Sequence, residues 1–268
     1  MHRIADGPRH TLAAPVERQG VGLHRGEPCL ARVQPAPPGQ GLRLNGTPVH
    51  LDAVEGCAYA TTLQTKRGPV QTVEHLLAAL AGRRIDDADI WVEGGEIPIL
   101  DGSAGPWFDA IAPRRQGGTR WLYVVDAPLT VEAGASRVVV TPAAALSVRV
   151  QLAFPALPAQ SYGAPASAFA VAARARTFGF LDQAPALRAQ GLIGGAGLEN
   201  VLVFDGAGQV QNPEGARWSD EPARHKWVDL IGDLSLFGDP IRASIDATRA
   251  GHALHHALVS ALLGRRSS

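Results

Sequence analysis

The sequence has little of what marks secreted or membrane-embedded proteins. Its 268 residues include two cysteines, Cys29 and Cys57, whose positions suggest no disulfide pairing. No secretory signal is recognisable at the N-terminus, so we expect reduced thiols and a cytoplasmic protein. No run of about 18 apolar residues occurs, and we therefore expect no membrane-spanning segment.

An excess of charge of one sign is also absent. Lys and Arg together number 25, as do Asp and Glu, so the formal net charge is zero. Without a global field, nucleic acid is not an expected partner, whereas peripheral contact with a membrane through a local patch stays open. Hydrophobic residues make up 46% and charged residues 19%, which excludes wholesale disorder. The length suffices for one large or two small domains.

The most informative stretch runs from Arg224 to Gly238 and is predicted to be an amphipathic helix. A start signal with a capping side chain and an early proline precedes it at 219–222. Its apolar stripe is predicted to face the core and comprises Trp227, Leu230, Ile231 and Leu234.

The opposite face of this helix carries His225, Asp229 and Asp233. A histidine and an aspartate four residues apart on a helix can bind one metal ion. An ordinary solvated face is the alternative. Gly232 on the same face favours close approach of another part of the chain, and the long Glu/Lys pairs of an outer surface are missing.

A second helix is predicted from Val73 to Ala81, capped by Thr72, with its core stripe at Val73, Leu76, Leu77 and Leu80. Glu74 and His75 point away from that stripe, and their side of the helix otherwise carries small residues. A solvated face usually carries charged residues, so this face is expected to pack against another element. The alternative is an ordinary helix with a partly buried histidine.

A last helix is predicted from His252 to Leu263, after Gly251. His252 lies in its first turn, where the helix dipole disfavours the imidazolium, so it could serve in acid–base chemistry. His255 and His256 are expected to lie on a solvated face, although His252 and His256 form an H-x-x-x-H pair, which is also a zinc-binding pattern.

Both halves of the chain read as strands followed by a helix. The polar, glycine-rich segment 113–119 is the best candidate for a boundary. We therefore expect an N-terminal domain at 1–116 and a C-terminal domain at 121–268. The glycines at 194–197 match no phosphate-binding motif, so a plain turn is expected there.

Six motifs in the expected order, spread over nearly the whole chain, resemble one family, the UDP-3-O-acyl-N-acetylglucosamine deacetylases. These are zinc amidases at the committed step of lipid A synthesis. The motifs that carry the resemblance are Gly20-Val21-Gly22-Leu23-His24, Thr72-Val73-Glu74-His75-Leu76, Asp101-Gly102-Ser103, Arg176-Thr177-Phe178-Gly179-Phe180, Arg224-His225-Lys226 through Asp233, and Gly251-His252-Ala253-Leu254.

The resemblance implies an α+β fold of two similar domains, each a β-sheet layered with α-helices, with the active site between them. It implies Zn²⁺ as cofactor, an acylated UDP-amino sugar as substrate and a chain that acts as a monomer. The implied zinc ligands are His75, His225 and Asp229.

The resemblance also implies roles for further residues. Glu74 would be the general base and His252 the general acid, with Asp233 holding His252. Thr177 would stabilise the oxyanion. The implied substrate contacts are Phe178, Lys226 and Arg249.

Two alternatives stay open beside this deacetylase. One is a zinc protein that binds a sugar-nucleotide or a partner without turnover. The other is a zinc amidase acting on a related acylated amino sugar. Glu74, His252 and Asp233 argue against the first, because binding alone requires neither an acid nor a base.

Overall fold

The computed structural model describes residues 1–266 and has the α+β class that the sequence predicts. Its helices are α1 (Glu74–Gly82), α2 (Gly105–Ala110), α3 (Phe169–Ala172), α4 (Ala184–Ala189), α5 (Glu221–Leu234) and α6 (His252–Gly264). Its strands are β1 (His2–Leu12), β2 (Val16–Val21), β3 (Pro28–Pro35), β4 (Leu42–Leu44), β5 (Thr47–Pro48), β6 (Val54–Gly56), β7 (Thr62–Thr65), β8 (Gly68–Val70), β9 (Ala88–Glu93), β10 (Pro113–Val124), β11 (Leu129–Ala133), β12 (Ser136–Thr141), β13 (Ser147–Leu152), β14 (Gln160–Pro165), β15 (Phe178–Phe180), β16 (Leu202–Phe204), β17 (Ile241–Arg242) and β18 (Ser244–Thr248).

Two five-stranded sheets share one topology. The first has the order β2-β3-β9-β4-β5 and the second the order β11-β12-β18-β13-β14. In both sheets, the central strand is the last of the five strands in chain order. It pairs antiparallel with one neighbour and parallel with the other. A helix precedes each central strand, α1 before β9 and α5 before β18. The chain is therefore a structural repeat, although no sequence repeat is visible.

A third sheet connects the two halves. Strand β10 pairs antiparallel with β1 and parallel with β17. The segment 113–119, the candidate for a boundary, lies inside β10. The division into domains at 1–116 and 121–268 stays a prediction.

Helices α5 and α6 pack on the second five-stranded sheet. Helix α1 lies along α5, and α5 contacts α6 and strands β13 and β14. One hydrophobic cluster contains residues from both halves, such as Leu76 of α1, Trp227 of α5 and Leu258 of α6. The predicted core stripes of α1 and α5 are buried throughout. None of the helices in residues 1–266 is long and apolar enough to cross a membrane.

Three local predictions are wrong. Thr72 does not cap α1, because its backbone is left-handed (φ 58°) and its hydroxyl donates to Glu96. No side chain caps α5, since Asp220 accepts from Arg224 instead. The sequence at 241–246 also reads as one strand, but the chain there forms two short strands in different sheets, β17 and β18. In each case a tertiary contact outweighs the local pattern.

Candidate active site

The N-terminal end of α1 lies against the middle of α5. Gly232 lies at this contact, where a Cβ atom would come within 2.2 Å of the carbonyl oxygen of Glu74. The close approach expected at Gly232 is thus made by the backbone of α1. It brings Glu74 and His75 to the face of α5 that carries His225 and Asp229.

The three predicted metal ligands lie together in this contact. Their ligand atoms are all within 4.8 Å of one another, and the three side chains are buried. Asp229 Oδ1 lies 3.6 Å from His75 Nε2 and 3.3 Å from His225 Nε2. The His75 and His225 rings meet edge to face, with centroids 4.9 Å apart. Two imidazole nitrogens and one carboxylate oxygen thus face a common point.

The polar atoms of this trio fit a metal ion. Asp229 Oδ1 is buried and has no hydrogen-bond partner among residues 1–266, which is costly unless a cation satisfies it. His225 Nδ1 lies 3.0 Å from the carbonyl oxygen of Ala175, so this nitrogen donates and Nε2 keeps its lone pair. A carbonyl that orients the far nitrogen is the usual support of a metal-bound histidine.

The protonation states of His225 and Asp229 also suit a metal. Burial alone would lower the pKa of His75, but the neighbouring Asp229 outweighs it and raises that pKa. Burial lowers the pKa of His225 to about 4, so its ring is neutral at pH 7. Burial alone would raise the pKa of Asp229, but His225 and Lys226 outweigh it and hold that pKa well below its usual range. Lys226 Nζ donates to Asp229 Oδ2 at 2.9 Å. Metals require such deprotonated ligands.

Glu74 is next to the trio in space as well as in sequence. Its side chain is almost fully buried, and Oε2 accepts a hydrogen bond from the Thr61 amide at 3.1 Å. Burial raises the pKa of Glu74, and the neighbouring His252 and His75 oppose that rise. A carboxylate in this setting is suited to accept a proton near neutral pH.

Asp233, one turn after Asp229, is the centre of a second polar cluster. Its Oδ2 accepts from His252 Nδ1 and from His255 Nδ1, both at 2.7 Å. Its Oδ1 accepts from the Thr61 hydroxyl at 2.6 Å. Since Thr61 donates its only proton there, His256 Nε2 at 3.0 Å must donate to the Thr61 oxygen. Every member of this cluster is therefore held by a hydrogen bond.

His252 connects the two clusters. With Nδ1 held by Asp233, Nε2 lies 3.8 Å from Glu74 Oε1 and 4.0 Å from Asp229 Oδ2. Burial disfavours the imidazolium, but Asp233 and Glu74 outweigh it and raise the pKa of His252 to about 9. The residue is therefore protonated at neutral pH and presents an N–H toward the metal trio.

Asp233, His252 and His255 also have ligand atoms within 4.8 Å of one another. In this second group both carboxylate oxygens already accept hydrogen bonds, whereas Asp229 Oδ1 accepts none. The hydrogen bonds account for the second group without a cation. Of the two groups found in residues 1–266, the trio of His75, His225 and Asp229 therefore suits a metal better.

Comparison with known proteins agrees with this geometry. Residues 9–264 match the family described as LpxC, UDP-3-O-acyl N-acetylglycosamine deacetylase. The chain belongs to this family. A UDP-3-O-acyl-N-acetylglucosamine deacetylase of Thermosynechococcus vestitus is 41% identical, over 96% of this chain and 95% of the relative. One of Myxococcus xanthus is 38% identical, over 94% and 85%, and one of a Geobacter species is 37% identical, over 96% and 89%.

The other residues expected from the deacetylase family lie at different distances from the trio. The Phe178 and His225 rings meet edge to face, with their centroids 6.3 Å apart. Thr177 precedes it, and its amide donates to the carbonyl oxygen of Gly102. Lys226 is bonded to Asp229, as described above. Arg249 is exposed, two residues before Gly251, and no contact joins its side chain to the other candidates within the described residues.

Two buried charges hold the segment around Thr177 on α5. Arg176 is 1% exposed, and its Nε donates to Glu221 Oε1 at 2.9 Å. The Arg176 amide donates to the same oxygen at 3.0 Å. Glu221 is the first residue of α5. Ala175, the residue before Arg176, supplies the carbonyl that orients His225. The pair thereby connects the position of Thr177 to that of a predicted metal ligand.

Sequence reasoning gave no role to several residues at this site. Thr61 touches both polar clusters from a loop and had no sequence signal. His24 was part of a family motif, yet its buried ring has no hydrogen-bond partner on either nitrogen within the described residues. Glu96 is fully buried and accepts from the His24 and Arg25 amides, which fixes the turn that carries His24.

The predicted environment of two histidines of α6 is wrong. His255 is 1% exposed and His256 is 8% exposed, so neither lies on a solvated face. Both face Asp233 and Thr61 instead, because α6 packs against α5 along that side. Their polarity serves a buried hydrogen-bond network.

Proposed function

We propose that this chain is a zinc-dependent deacetylase that removes the N-acetyl group from a UDP-3-O-acyl-N-acetylglucosamine. The observation that carries the proposal is the meeting of three groups in one contact. They are a buried His-His-Asp trio, a buried glutamate beside it and a protonated histidine held by an aspartate.

The proposed metal is zinc, held by His75, His225 and Asp229. Two imidazole nitrogens and one carboxylate oxygen form a donor set typical of catalytic zinc sites, in which a fourth position is kept for water or substrate. When bound, such a cation polarises an amide carbonyl and lowers the pKa of a coordinated water to about 7.

The protein supplies the proton transfers. Glu74 accepts the proton that the attacking water loses, and its elevated pKa suits a base near neutral pH. The leaving amine needs a proton, and the His252 imidazolium donates it from Nε2. Asp233 keeps His252 in the orientation and charge state that this donation requires.

The proposed substrate follows from family membership and from the names of the relatives. Thr177 would donate a hydrogen bond to the developing oxyanion. Phe178 offers a ring beside the trio, and Lys226 and Arg249 offer cations for the substrate's polar groups. In lipid A synthesis this reaction would be the committed step, and the chain is proposed to act as a cytoplasmic monomer.

The test is a deacetylase assay across a panel of acylated sugars, with and without the UDP group and with and without the 3-O-acyl chain. We expect turnover of the acylated UDP-sugar and a strong loss when UDP is removed. Equal turnover without the nucleotide would favour a zinc amidase on a related sugar. Binding without turnover, in protein with full metal content, would favour the non-catalytic zinc protein.

A further inference from the structure

A cavity of about 470 Å³ lies between the two halves of the chain, away from the candidate active site. This volume is in the range of ligand-binding pockets. Much of its lining is apolar and comes from both halves, with Leu42, Ile85, Leu146, Phe169, Ile231 and Leu234 among the contributors. None of the predicted site residues lines it.

The same two helices border this cavity and the active site at different places. On α1, the cavity meets Ala81 and Gly82 at the C-terminal end, about 10 Å along the helix from His75. On α5, it meets Ile231 and Leu234, on the side away from Asp229 and Asp233. A ligand in the cavity would therefore not reach the metal trio.

Most charged groups in the cavity wall are paired. Asp6 is bound by Arg84 at 2.8 Å and by Arg120 at 3.2 Å, and Asp86 is bound by Arg120 at 2.7 Å. Two further charged groups of the wall form ion pairs with residues outside it. Arg9 pairs with Asp87, and Asp239 pairs with Arg266.

Arg242 is the exception in this wall. Its side chain makes no hydrogen bond and no ion pair within residues 1–266, and its Nε is buried without a partner. A buried guanidinium nitrogen without an acceptor is costly. The cavity therefore combines an apolar lining with one half-buried guanidinium that pairs with no acid in the described part of the chain.

We propose that this cavity binds an amphiphilic monocarboxylate, such as the anion of an aliphatic acid. Its carboxylate accepts from the Arg242 guanidinium, a pairing for which this side chain is well shaped. Its hydrocarbon part packs against Phe169 and the aliphatic lining. One unpaired cation matches a singly charged head, and the apolar wall excludes a purely polar anion.

The test uses octanoate below its micelle-forming concentration, titrated calorimetrically into the full-length protein. We expect saturable binding at one site per chain and at least about tenfold weaker binding of octan-1-ol, which lacks the charge. Absence of saturable octanoate binding, or equal binding of the alcohol, would overturn the proposal.

Two variants locate the binding site. Arg242→Gln removes the charge, and Ala81→Leu fills part of the cavity at a helical position, so each should weaken octanoate binding at least about tenfold. Arg137→Gln is the matched control, because Arg137 on β12 is an exposed cation that pairs with Glu132 on β11. This substitution should leave octanoate binding unchanged. Circular dichroism melts verify the fold. If both Arg242→Gln and Ala81→Leu bound octanoate like the wild type, the site would lie elsewhere, including the active site.

Discussion

At the scale of single residues, Glu74 and His252 are the two titratable groups expected to transfer protons. His252 Nε2 lies 3.8 Å from Glu74 Oε1. Burial favours the neutral form of the glutamate, whereas Asp233 favours the charged form of the histidine. Two titratable groups whose surroundings shift their pKa values in useful directions are typical of an acid–base pair. Neither belongs to the metal trio.

Removal of either group should therefore slow catalysis strongly without removing the metal. We expect Glu74→Ala and His252→Ala each to lower kcat by roughly 10²-fold or more while metal content and fold are kept. Steady-state kinetics with metal analysis of the same samples checks this. If His252→Ala released the metal, His252 would be a ligand, and the acid would have to be another residue.

The pH dependence of activity tests the same pair. Activity requires Glu74 ionised, so it falls as pH drops through the pKa of Glu74. It also requires His252 protonated, so it falls as pH rises through a pKa of about 9, or below that when a cation sits in the trio. A bell-shaped profile is the expected result.

Asp233→Asn is the informative variant for this profile. It removes the charge that does most to raise the pKa of His252, so the basic limb should move to lower pH. The acidic limb should move less, because Asp233 acts more weakly on Glu74. A shift of the acidic limb alone would contradict the assignment. Because coupled groups share apparent pKa values, the direction of the shift is the relevant readout.

At the scale of elements, the site depends on how closely α1 approaches α5. Gly232→Ala would place a Cβ atom within 2.2 Å of the Glu74 carbonyl oxygen, so the helices must separate. We expect a loss of about 1–3 kcal/mol in the free energy of unfolding, together with weaker metal binding. Urea denaturation and metal titration measure both effects.

Gly264→Ala is the matched control for that substitution. Gly264 ends α6, and a Cβ atom there would meet no atom of the described residues within 4 Å. This change should leave stability and metal binding close to those of the wild type. Equal effects of the two substitutions would mean that the close approach at Gly232 has no special importance.

The pair of Arg176 and Glu221 acts at the same scale, since it joins the start of α5 to the segment before Thr177. Glu221→Gln removes one of the two carboxylates that pair with Arg176 and leaves the more exposed Glu214 as its charged partner. The loss should therefore exceed that of an exposed pair and stay below the about 3–5 kcal/mol of a fully broken buried pair. The exposed pair of Arg137 and Glu132 provides a control, because Glu132→Gln should cost at most about 1 kcal/mol. Similar urea midpoints for the two variants would contradict the proposed role.

At the scale of the whole molecule, the metal trio lies between equivalent helices of a repeated fold. Helices α1 and α5 each precede the central strand of their own sheet, and each supplies part of the trio. Helix α6 follows the second central strand and supplies His252. The repeat thus brings ligands that are 150 residues apart in the chain, His75 and His225, into contact.

Part of this arrangement could be predicted from sequence because it is local. The pairing of His225 with Asp229 follows from helical spacing, and the packed face of α1 follows from its small residues. His75 as the third ligand came from family resemblance, since no periodicity relates it to α5. Thr61 and His24 were missed because loops carry them, and His255 was misplaced because its burial depends on how α6 packs.

The zinc content of purified protein tests the central claim most directly. The wild type and His252→Ala should each contain one zinc per chain by mass spectrometry, whereas the His75→Ala, His225→Ala double variant should contain almost none. Full zinc occupancy in the double variant, with loss of zinc from His252→Ala, would contradict the account and indicate a site formed by Asp233 and the histidines of α6.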